Sequence, residues 1–336
     1  MLKKPRVAVL ATGGTIAGQG ASGDERTSYQ CSVLPIDDVI ATVPALQERA
    51  SLYAEQFMQK GSENLSSADL LAIARRVEEL AQSNDVEAVL VTQGTDTIEE
   101  TAYFLNLTVR TTKAIVVVGA MRPPFAIGSD AQSNLYDAVC VATHPSSNGM
   151  GVLVVANSEI HSARDVVKAS SFKLEAFRSP HGPLGWIVEG APRYYRRPVR
   201  THTGKAHWSA QTLDSLPAVT LVSAFADLSA RALRAQAEGA AGVVFVGTGN
   251  GNVPDHLVPV LRELSDTGRY VVRASRTSSG VVVRNAAHPD DEYGWIVVDD
   301  QSPGKARLLL ALALTMASVS GAESERARVQ TLYFQY

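Results

Sequence analysis

Short apolar runs alternate along most of this chain with longer stretches in which apolar residues recur at helical spacing. The helical spacing is clearest over residues 70–81, where Ser66 and Asp69 predict a capping box at the start of a helix. Such alternation is typical of βαβ units, so we predict a parallel sheet in the first half of the chain. Its predicted strands are residues 6–11, 86–92, 114–119 and 151–156, and its predicted helices are 70–81, 97–107 and 134–142.

The apolar pattern lapses over residues 193–216, where proline, arginine, histidine, threonine and serine predominate. We predict an inter-domain linker there. The predicted fold is α/β, with a large N-terminal parallel-sheet domain over residues 1–192 and a smaller C-terminal α/β domain over residues 217–336. In the second domain the predicted strands are residues 219–223, 242–247 and 270–274, and the predicted helices are 230–238, 257–264 and 305–318.

Composition supports a folded globular protein, because 45% of the 336 residues are hydrophobic and 19% are charged. The 31 basic and 34 acidic residues give a net charge of −3, which argues against a nucleic-acid partner. A local basic cluster is interpreted as a solvated loop; it comprises Arg193, Arg196, Arg197 and Arg200. No apolar stretch approaches the ~18 residues of a membrane span, so no membrane association is predicted.

Two cysteines, Cys31 and Cys140, are too few for a disulfide framework or a cysteine-based zinc site, and the sequence leaves their pairing open. The histidines lack metal-ligand spacing, so no metal site is predicted. The first residues lack the apolar core of a signal peptide. We therefore predict a cytoplasmic protein, or a periplasmic one if a leader was removed.

Polar motifs follow the predicted strands, where ligands bind in parallel sheets. The first strand leads into T-G-G-T, in which two glycines permit a tight turn and Thr15 becomes a candidate nucleophile. The strand at 86–92 leads into Q-G-T-D, which places Thr95 and Asp96 at a helix start, where free N–H groups favour negative charge. For both motifs a capping threonine is the ordinary alternative.

Lys168 lies in the polar segment that follows the strand at 151–156. A lone lysine is usually a solvated surface charge, but a desolvated lysine beside a hydroxyl acts as a base. Residues 247–252 form a glycine-rich run after another strand, typical of a tight turn or of close backbone approach.

A nucleotide-binding dehydrogenase is disfavoured. Residues 18–23 match G-x-G-x-x-G, but charged residues rather than an apolar helix follow them, so we predict a flexible loop. The predicted strand at 53–57 carries Glu55 in its middle, whereas dinucleotide binding needs an acidic residue at the strand end.

The motifs T-G-G-T-I at 12–16 and G-T-D-T-I-E-E-T-A at 94–102 resemble those of the bacterial type II L-asparaginase (asparaginase/glutaminase) family. The similarity runs nearly end to end along the chain. It implies hydrolysis of L-asparagine to L-aspartate and ammonia through a threonine acyl-enzyme, with L-glutaminase side activity and without metal or cofactor. It also implies a homotetramer, a dimer of dimers in which each site is completed by a neighbouring subunit.

The resemblance assigns roles to individual residues. Thr15 is the nucleophile and Tyr29, on a mobile loop, takes part in its activation, while Lys168 joins Thr95 and Asp96 in a second catalytic group. The implied substrate-binding residues are Ser62 for the α-carboxylate, Asp96 and Glu63 for the α-ammonium, Thr95, Ala120 through its carbonyl, and Asn252 from the neighbouring subunit.

Three positions depart from the family pattern. Ala287 stands where the family usually has a glutamate that enters the neighbour's site, so one carboxylate is missing. Glu63 replaces a common glutamine, and Gln93 replaces a common histidine. Ala287 motivates the alternative hypothesis of a non-catalytic amino-acid-binding protein on the same fold. His288 is adjacent to Ala287, and if this stretch is extended the His288 side chain should point elsewhere.

Overall fold

The computed structural model describes residues 3–316 and 322–336. The chain divides into two compact units, Met1–Thr212 and Leu213–Tyr336. That boundary falls inside the span 193–216, whose role as a linker stays a prediction. Both cysteines are free, Cys31 exposed and Cys140 buried.

The first unit is built on one eight-stranded sheet, with the strand order β10-β9-β6-β5-β4-β3-β1-β2. Strands β2, β1, β3, β4 and β5 pair in parallel, and β6, β9 and β10 extend the sheet in antiparallel pairing. A separate antiparallel pair is formed by β7 and β8. The strands are β1 Arg6–Ala11, β2 Ser51–Gln56, β3 Ala88–Thr92, β4 Ala114–Val118, β5 Val152–Ala156, β6 Glu159–Ser162, β7 Val167–Lys168, β8 Phe177–Arg178, β9 Gly185–Val188 and β10 Ala191–Tyr194.

Every residue of β3, β4 and β5 is buried, as expected of parallel strands covered by helices on both faces. The predicted capping box is confirmed at the start of the third helix: Asp69 N–H donates to Ser66 Oγ at 3.2 Å, and Ser66 N–H donates to Asp69 Oδ2 at 2.8 Å. The helices of this unit are α1 Ile36–Ala41, α2 Leu46–Arg49, α3 Ser67–Gln82, α4 Ile98–Thr108 and α5 Ala131–Thr143, with 3₁₀ turns at Thr15–Ala17, Ser62–Asn64, Pro145–Ser147, Thr203–Lys205 and Ala210–Thr212.

The second unit has a four-stranded parallel sheet in the order β11-β12-β13-β14. Its apolar core gathers side chains such as Phe245, Leu261 and Trp295. The elements are β11 Val219–Ser223, α6 Ala230–Ala237, β12 Gly242–Gly247, a 3₁₀ turn Asp255–Leu257, α7 Val258–Asp266, β13 Tyr270–Ser275, α8 Asp290–Tyr293, β14 Ile296–Val297, α9 Pro303–Ala313 and α10 Ala322–Gln335.

The predicted α/β class with a larger first and a smaller second unit is confirmed. The antiparallel extension by β6, β9 and β10 was not predicted, and β10 begins just before the predicted linker. The predicted helix over 305–318 is wrong at its end, because α9 stops at Ala313. The chain then tightens into turns, with Thr315 N–H donating to the carbonyl of Leu312. Residues 317 and 318 lie outside the described residues.

Within the two described segments, no helix is both long enough and apolar enough to cross a membrane.

A buried ion pair organises the second unit. Arg273 on β13 donates from Nε and Nη2 to the two carboxylate oxygens of Asp290 on α8, at 2.6 and 2.7 Å, and both side chains are fully buried. Arg273 Nη1 also donates to the carbonyls of Asn250 and Gly251 at 3.0 Å, and Asp290 accepts the N–H of Asn285 at 2.8 Å. One pair therefore anchors two separate surface segments, and its charges are compensated by hydrogen bonds.

We expect Asp290→Ala to lower the free energy of unfolding by about 3–5 kcal/mol, because it leaves the Arg273 charge buried without its partner. The measurement is chemical denaturation of both proteins. Glu263→Ala is the control, because Glu263 pairs with Arg234 on the surface with both side chains about half exposed, and such pairs contribute about 0–1 kcal/mol. Equal losses in the two variants would contradict this view of the buried pair.

Candidate active site

The two glycine-containing motifs meet backbone to backbone at the ends of β1 and β3. Thr12 extends β1 by donating its N–H to the carbonyl of Thr92 at 3.0 Å. Gly13 and Gly14 then adopt φ angles of +108° and +91°, which favour glycine. A Cβ added to Gly14 would lie 2.2 Å from both Cα and N of Gly94. Only glycine permits this approach, which brings the segments carrying Thr15 and Thr95 together.

Thr15 begins a single 3₁₀ turn whose cap is Gly14, so the alternative of a capping threonine is wrong here. Its Oγ1 lies 2.7 Å from the hydroxyl of Tyr29. Burial raises the pKa of Tyr29, and the negative charges of Asp96 and Asp130 add to the rise, against the opposing effect of the Thr15 hydrogen bond. Tyr29 is therefore a protonated phenol at neutral pH.

The segment that carries Tyr29 is closed by Gln19 and Gln30, which exchange two backbone hydrogen bonds of 2.9 Å. The G-x-G-x-x-G run at 18–23 lies in this segment and opens no helix, as the sequence indicated. Gly18 packs closely on Tyr29, since an added Cβ there would lie 3.0 Å from the tyrosine ring. The loop thus holds the phenol beside Thr15.

A second hydroxyl is paired with a lysine. Lys168 Nζ donates to Thr95 Oγ1 at 2.8 Å and to Asp96 Oδ1 at 2.5 Å. The Lys168 side chain is only 17% exposed, so the alternative of a solvated surface lysine is wrong. The capping alternative for Thr95 is also wrong, because the residue at the N-cap position of α4 is Thr97. Thr95 is buried and Asp96 is exposed, so the side chains of Lys168, Thr95 and Asp96 lie where the protein interior meets the surface.

Ser62 lies against the same motif. Its Oγ accepts the N–H of Asp96 at 3.1 Å, and its carbonyl accepts the hydroxyl of Thr97 at 2.8 Å. Ser62 is 2% exposed, and its hydroxyl hydrogen remains available to a ligand. The next residue, Glu63, is exposed, and its carboxylate accepts a hydrogen bond from Asn64 at 2.8 Å. Glu63 is thus next to the buried serine in sequence, and Asp96 is next to it in space through the hydrogen bond of its backbone N–H.

Ala120 follows β4 and is buried. Its loop is held by two residues that the sequence did not single out as site residues. Asp130 accepts the N–H of Met121 at 2.9 Å, and Asn134 Nδ2 donates to the carbonyl of Gly119 at 3.0 Å. The only sequence signal was the polar pair four residues apart at a helix start, which is equally typical of an ordinary cap.

Asn252 and Ala287 belong to the second unit, and both are exposed. The stretch around Ala287 is not extended, because residues 284–288 form a turn in which Asn285 has φ +57°. His288 Nε2 accepts the N–H of Val253, next to Asn252, at 3.1 Å. Burial lowers the pKa of His288, which favours the neutral ring that can accept this bond. The turn and the Asn252 loop are thus joined directly.

Comparison with known proteins decides the family. The chain matches the family model "Asparaginase, N-terminal" over residues 6–200 and the "Glutaminase/Asparaginase C-terminal domain" over residues 218–326. This chain belongs to the asparaginase family. The resemblance seen in the two glycine motifs is therefore confirmed, and the chain is an amidohydrolase.

Asparaginase-family relatives match along almost the whole chain. A glutaminase-asparaginase from Pseudomonas fluorescens biotype A is 45% identical over 336 residues, 99% of this chain and 91% of the relative. A probable periplasmic L-asparaginase from Haemophilus influenzae is 40% identical over 313 residues, 93% of this chain and 89% of the relative. The crystal structure of a probable cytoplasmic L-asparaginase from Campylobacter jejuni superposes with a TM-score of 0.93 at 38% identity, covering 99% of this chain and 100% of that one. The names of these relatives include both a periplasmic and a cytoplasmic protein, so the cellular compartment of this chain stays a prediction.

No group of three or more histidine, cysteine, aspartate or glutamate side chains is placed to hold a metal ion in the part of this asparaginase that the structure describes.

We expect Gly14→Ala to lower ammonia release at least about 100-fold, because the new methyl forces the two threonine-bearing segments apart. Gly268→Ala is the matched control. Gly268 has φ +89°, close to the +91° of Gly14, but an added Cβ there meets nothing within 4 Å. Both variants carry the backbone strain of about 1–2 kcal/mol, and only Gly14→Ala adds an overpacking cost of about 1–3 kcal/mol. Similar activities in the two variants would show that the close approach is dispensable.

Proposed function

We propose that this chain hydrolyses L-asparagine to L-aspartate and ammonia, with L-glutamine as a second substrate. The proposal rests on two threonine hydroxyls that lie at the neighbouring ends of β1 and β3. Each hydroxyl is hydrogen-bonded to a side chain that can donate or accept a proton. Thr15 has Tyr29, and Thr95 has Lys168 with Asp96. Family membership supports the choice of an amide as the bond that is broken.

Thr15 Oγ1 attacks the carbon of the side-chain amide, and the C–N bond breaks. The proton lost by Thr15 leaves with the nitrogen as ammonia, and an ester joins the substrate acyl group to Thr15. Water then hydrolyses the ester and restores the Thr15 hydroxyl. Because the pKa of Tyr29 is raised, Tyr29 acts as a phenol that passes one proton on as it receives another, and not as a preformed phenolate.

Lys168 fixes the orientation of Thr95. Its Nζ donates to Thr95 Oγ1, so the hydrogen of that hydroxyl points away from the lysine and is available to the substrate or to the attacking water. Asp96 balances the lysine charge from 2.5 Å. In this proposal the group orients water and moves its proton during hydrolysis of the ester.

Ser62 binds the α-carboxylate of the substrate through its hydroxyl, and the exposed carboxylates of Glu63 and Asp96 bind the α-ammonium. The carbonyl of Ala120 accepts a hydrogen bond from the amide NH₂ group. Developing negative charge on the amide oxygen is stabilised by backbone N–H groups near Thr15 and Thr95, and such donors contribute about 3–4 kcal/mol each.

We also propose a homotetramer in which Asn252 of one subunit enters the site of a neighbour. Asn252 is exposed and is held in a loop that Arg273 anchors, which suits a residue that must reach beyond its own subunit. Mass determination in solution tests the assembly. A monomer with full activity would rule out this role of Asn252.

The alternative of a non-catalytic amino-acid binder is favoured by one observation, the alanine at position 287. A protein that only binds has no use for a lysine bonded to a buried threonine, so the alternative explains less of the site. Saturable binding of L-asparagine without release of ammonia would establish the non-catalytic alternative.

We expect Thr15→Val to lower kcat at least about 1,000-fold, because the variant keeps the side-chain shape and loses the nucleophilic oxygen. Ammonia release from L-asparagine and L-glutamine is the measurement. Thr143→Val is the control, because the Thr143 hydroxyl bonds only backbone carbonyls of its own helix. Substantial turnover by Thr15→Val would assign the nucleophile elsewhere.

We expect Ala287→Glu to lower KM for L-asparagine about two- to fivefold, the effect of one added partly exposed charge pair with the α-ammonium. Ala286→Glu is the control, because it adds the same charge at the neighbouring exposed position of the turn. Equal KM values in Ala287→Glu and the unmodified protein would mean that Glu63 and Asp96 already satisfy the ammonium.

A further inference from the structure

Lys168 lies on a very short strand, although its side chain makes two hydrogen bonds in the candidate site. Strand β7 has two residues and pairs with β8, which also has two. A lysine side chain has four rotatable bonds, so small movements of its backbone are enlarged at Nζ. The distances of 2.8 Å to Thr95 and 2.5 Å to Asp96 therefore need an additional anchor for the Lys168 backbone.

Glu99 supplies that anchor. Its Oε2 accepts the backbone N–H of Lys168 at 2.6 Å, a short hydrogen bond to a charged acceptor. Glu99 lies in the first turn of α4, three residues after Asp96 and four after Thr95. Lys168 is thus held at its ammonium end by Thr95 and Asp96, and at its backbone end by Glu99.

The three acceptors lie within five consecutive residues, 95–99, at the start of α4. Lys168 is therefore bonded at both ends to one short stretch of the chain. Glu263 on α7 of the second unit, which forms a surface ion pair with Arg234, provides a comparison glutamate.

We propose that Glu99 is a positioning residue for catalysis: it fixes the backbone of Lys168 so that the ammonium group stays bonded to Thr95. The proposal rests on the proposed function, in which Lys168 and Thr95 take part in the reaction. Glu99 itself acts only through Lys168 and does not touch the substrate.

We expect Glu99→Ala to lower kcat about 10- to 100-fold, the cost of a misplacement near 1 Å, with KM changed less than about threefold. Glu99→Gln keeps an acceptor oxygen on a side chain of nearly the same length, so we expect it to retain most of the kcat that Glu99→Ala loses. Glu263→Ala is the matched control, with kcat within about twofold of the unmodified protein, because Glu263 pairs with Arg234 on the exposed surface. Thermal unfolding of each variant shows that the fold is retained.

A double-mutant cycle separates positioning from general stabilisation of the fold. If Glu99 acts through Lys168, then adding Glu99→Ala to Lys168→Met changes the residual kcat less than about twofold. A second readout does not depend on activity: amine acetylation followed by mass spectrometry labels Lys168 severalfold faster in Glu99→Ala, because its Nζ is released from its two partners.

Three outcomes overturn the proposal. Equal fold-losses of kcat from Glu99→Ala with and without Lys168 would make Glu99 a structural residue only. Full kcat and unchanged Lys168 labelling in Glu99→Ala, with Lys168→Met inactive, would remove the positioning role and leave the proposed function intact. Full activity in Lys168→Met would instead overturn the assigned role of Lys168, and the positioning role with it.

Discussion

The backbone contact between Gly14 and Gly94 determines where the reactive hydroxyls of this protein stand. Each glycine lies in a motif that follows a buried parallel strand, and an added Cβ would clash at either position, with Gly94 in the case of Gly14 and mainly with Ser62 in the case of Gly94. The strands β1 and β3 are hydrogen-bonded neighbours, so their motifs emerge side by side. The contact turns two distant segments of sequence into one surface, to which Tyr29 and Lys168 add their proton-handling groups.

The sequence alone predicts the parts of this structure that depend on local patterns. Fully buried strands such as β3 and β4 are visible as apolar runs, and the Ser66 capping box is visible because its two partners are three residues apart. The antiparallel strands β6, β9 and β10 are not predictable in this way. They have four residues each, and β6 and β10 include charged residues, while β9 is apolar but too short to be recognised as a strand from its sequence.

The residues of the candidate site also fall into two groups, those that local sequence patterns predict and those that they do not. Thr15, Thr95 and Asp96 lie in glycine motifs at strand ends, and sequence reasoning finds them. Glu99 and Arg273 are different, because each acts on a backbone group that is close in space and far along the chain. An acidic residue in the first turn of a helix is ordinary in sequence, and its acceptance of the Lys168 N–H appears only when the strand beside it is in place.

The Arg273–Asp290 pair has a consequence for how this family can vary. It fixes the backbone of the Asn252 loop and of the turn at 284–288 from beneath, through carbonyl and N–H groups, and uses no side chain of the exposed turn residues 286 and 287. The main-chain scaffold is therefore independent of the side chain at position 287. A carboxylate can therefore be exchanged for a methyl group there while the fold and the neighbouring asparagine stay in place.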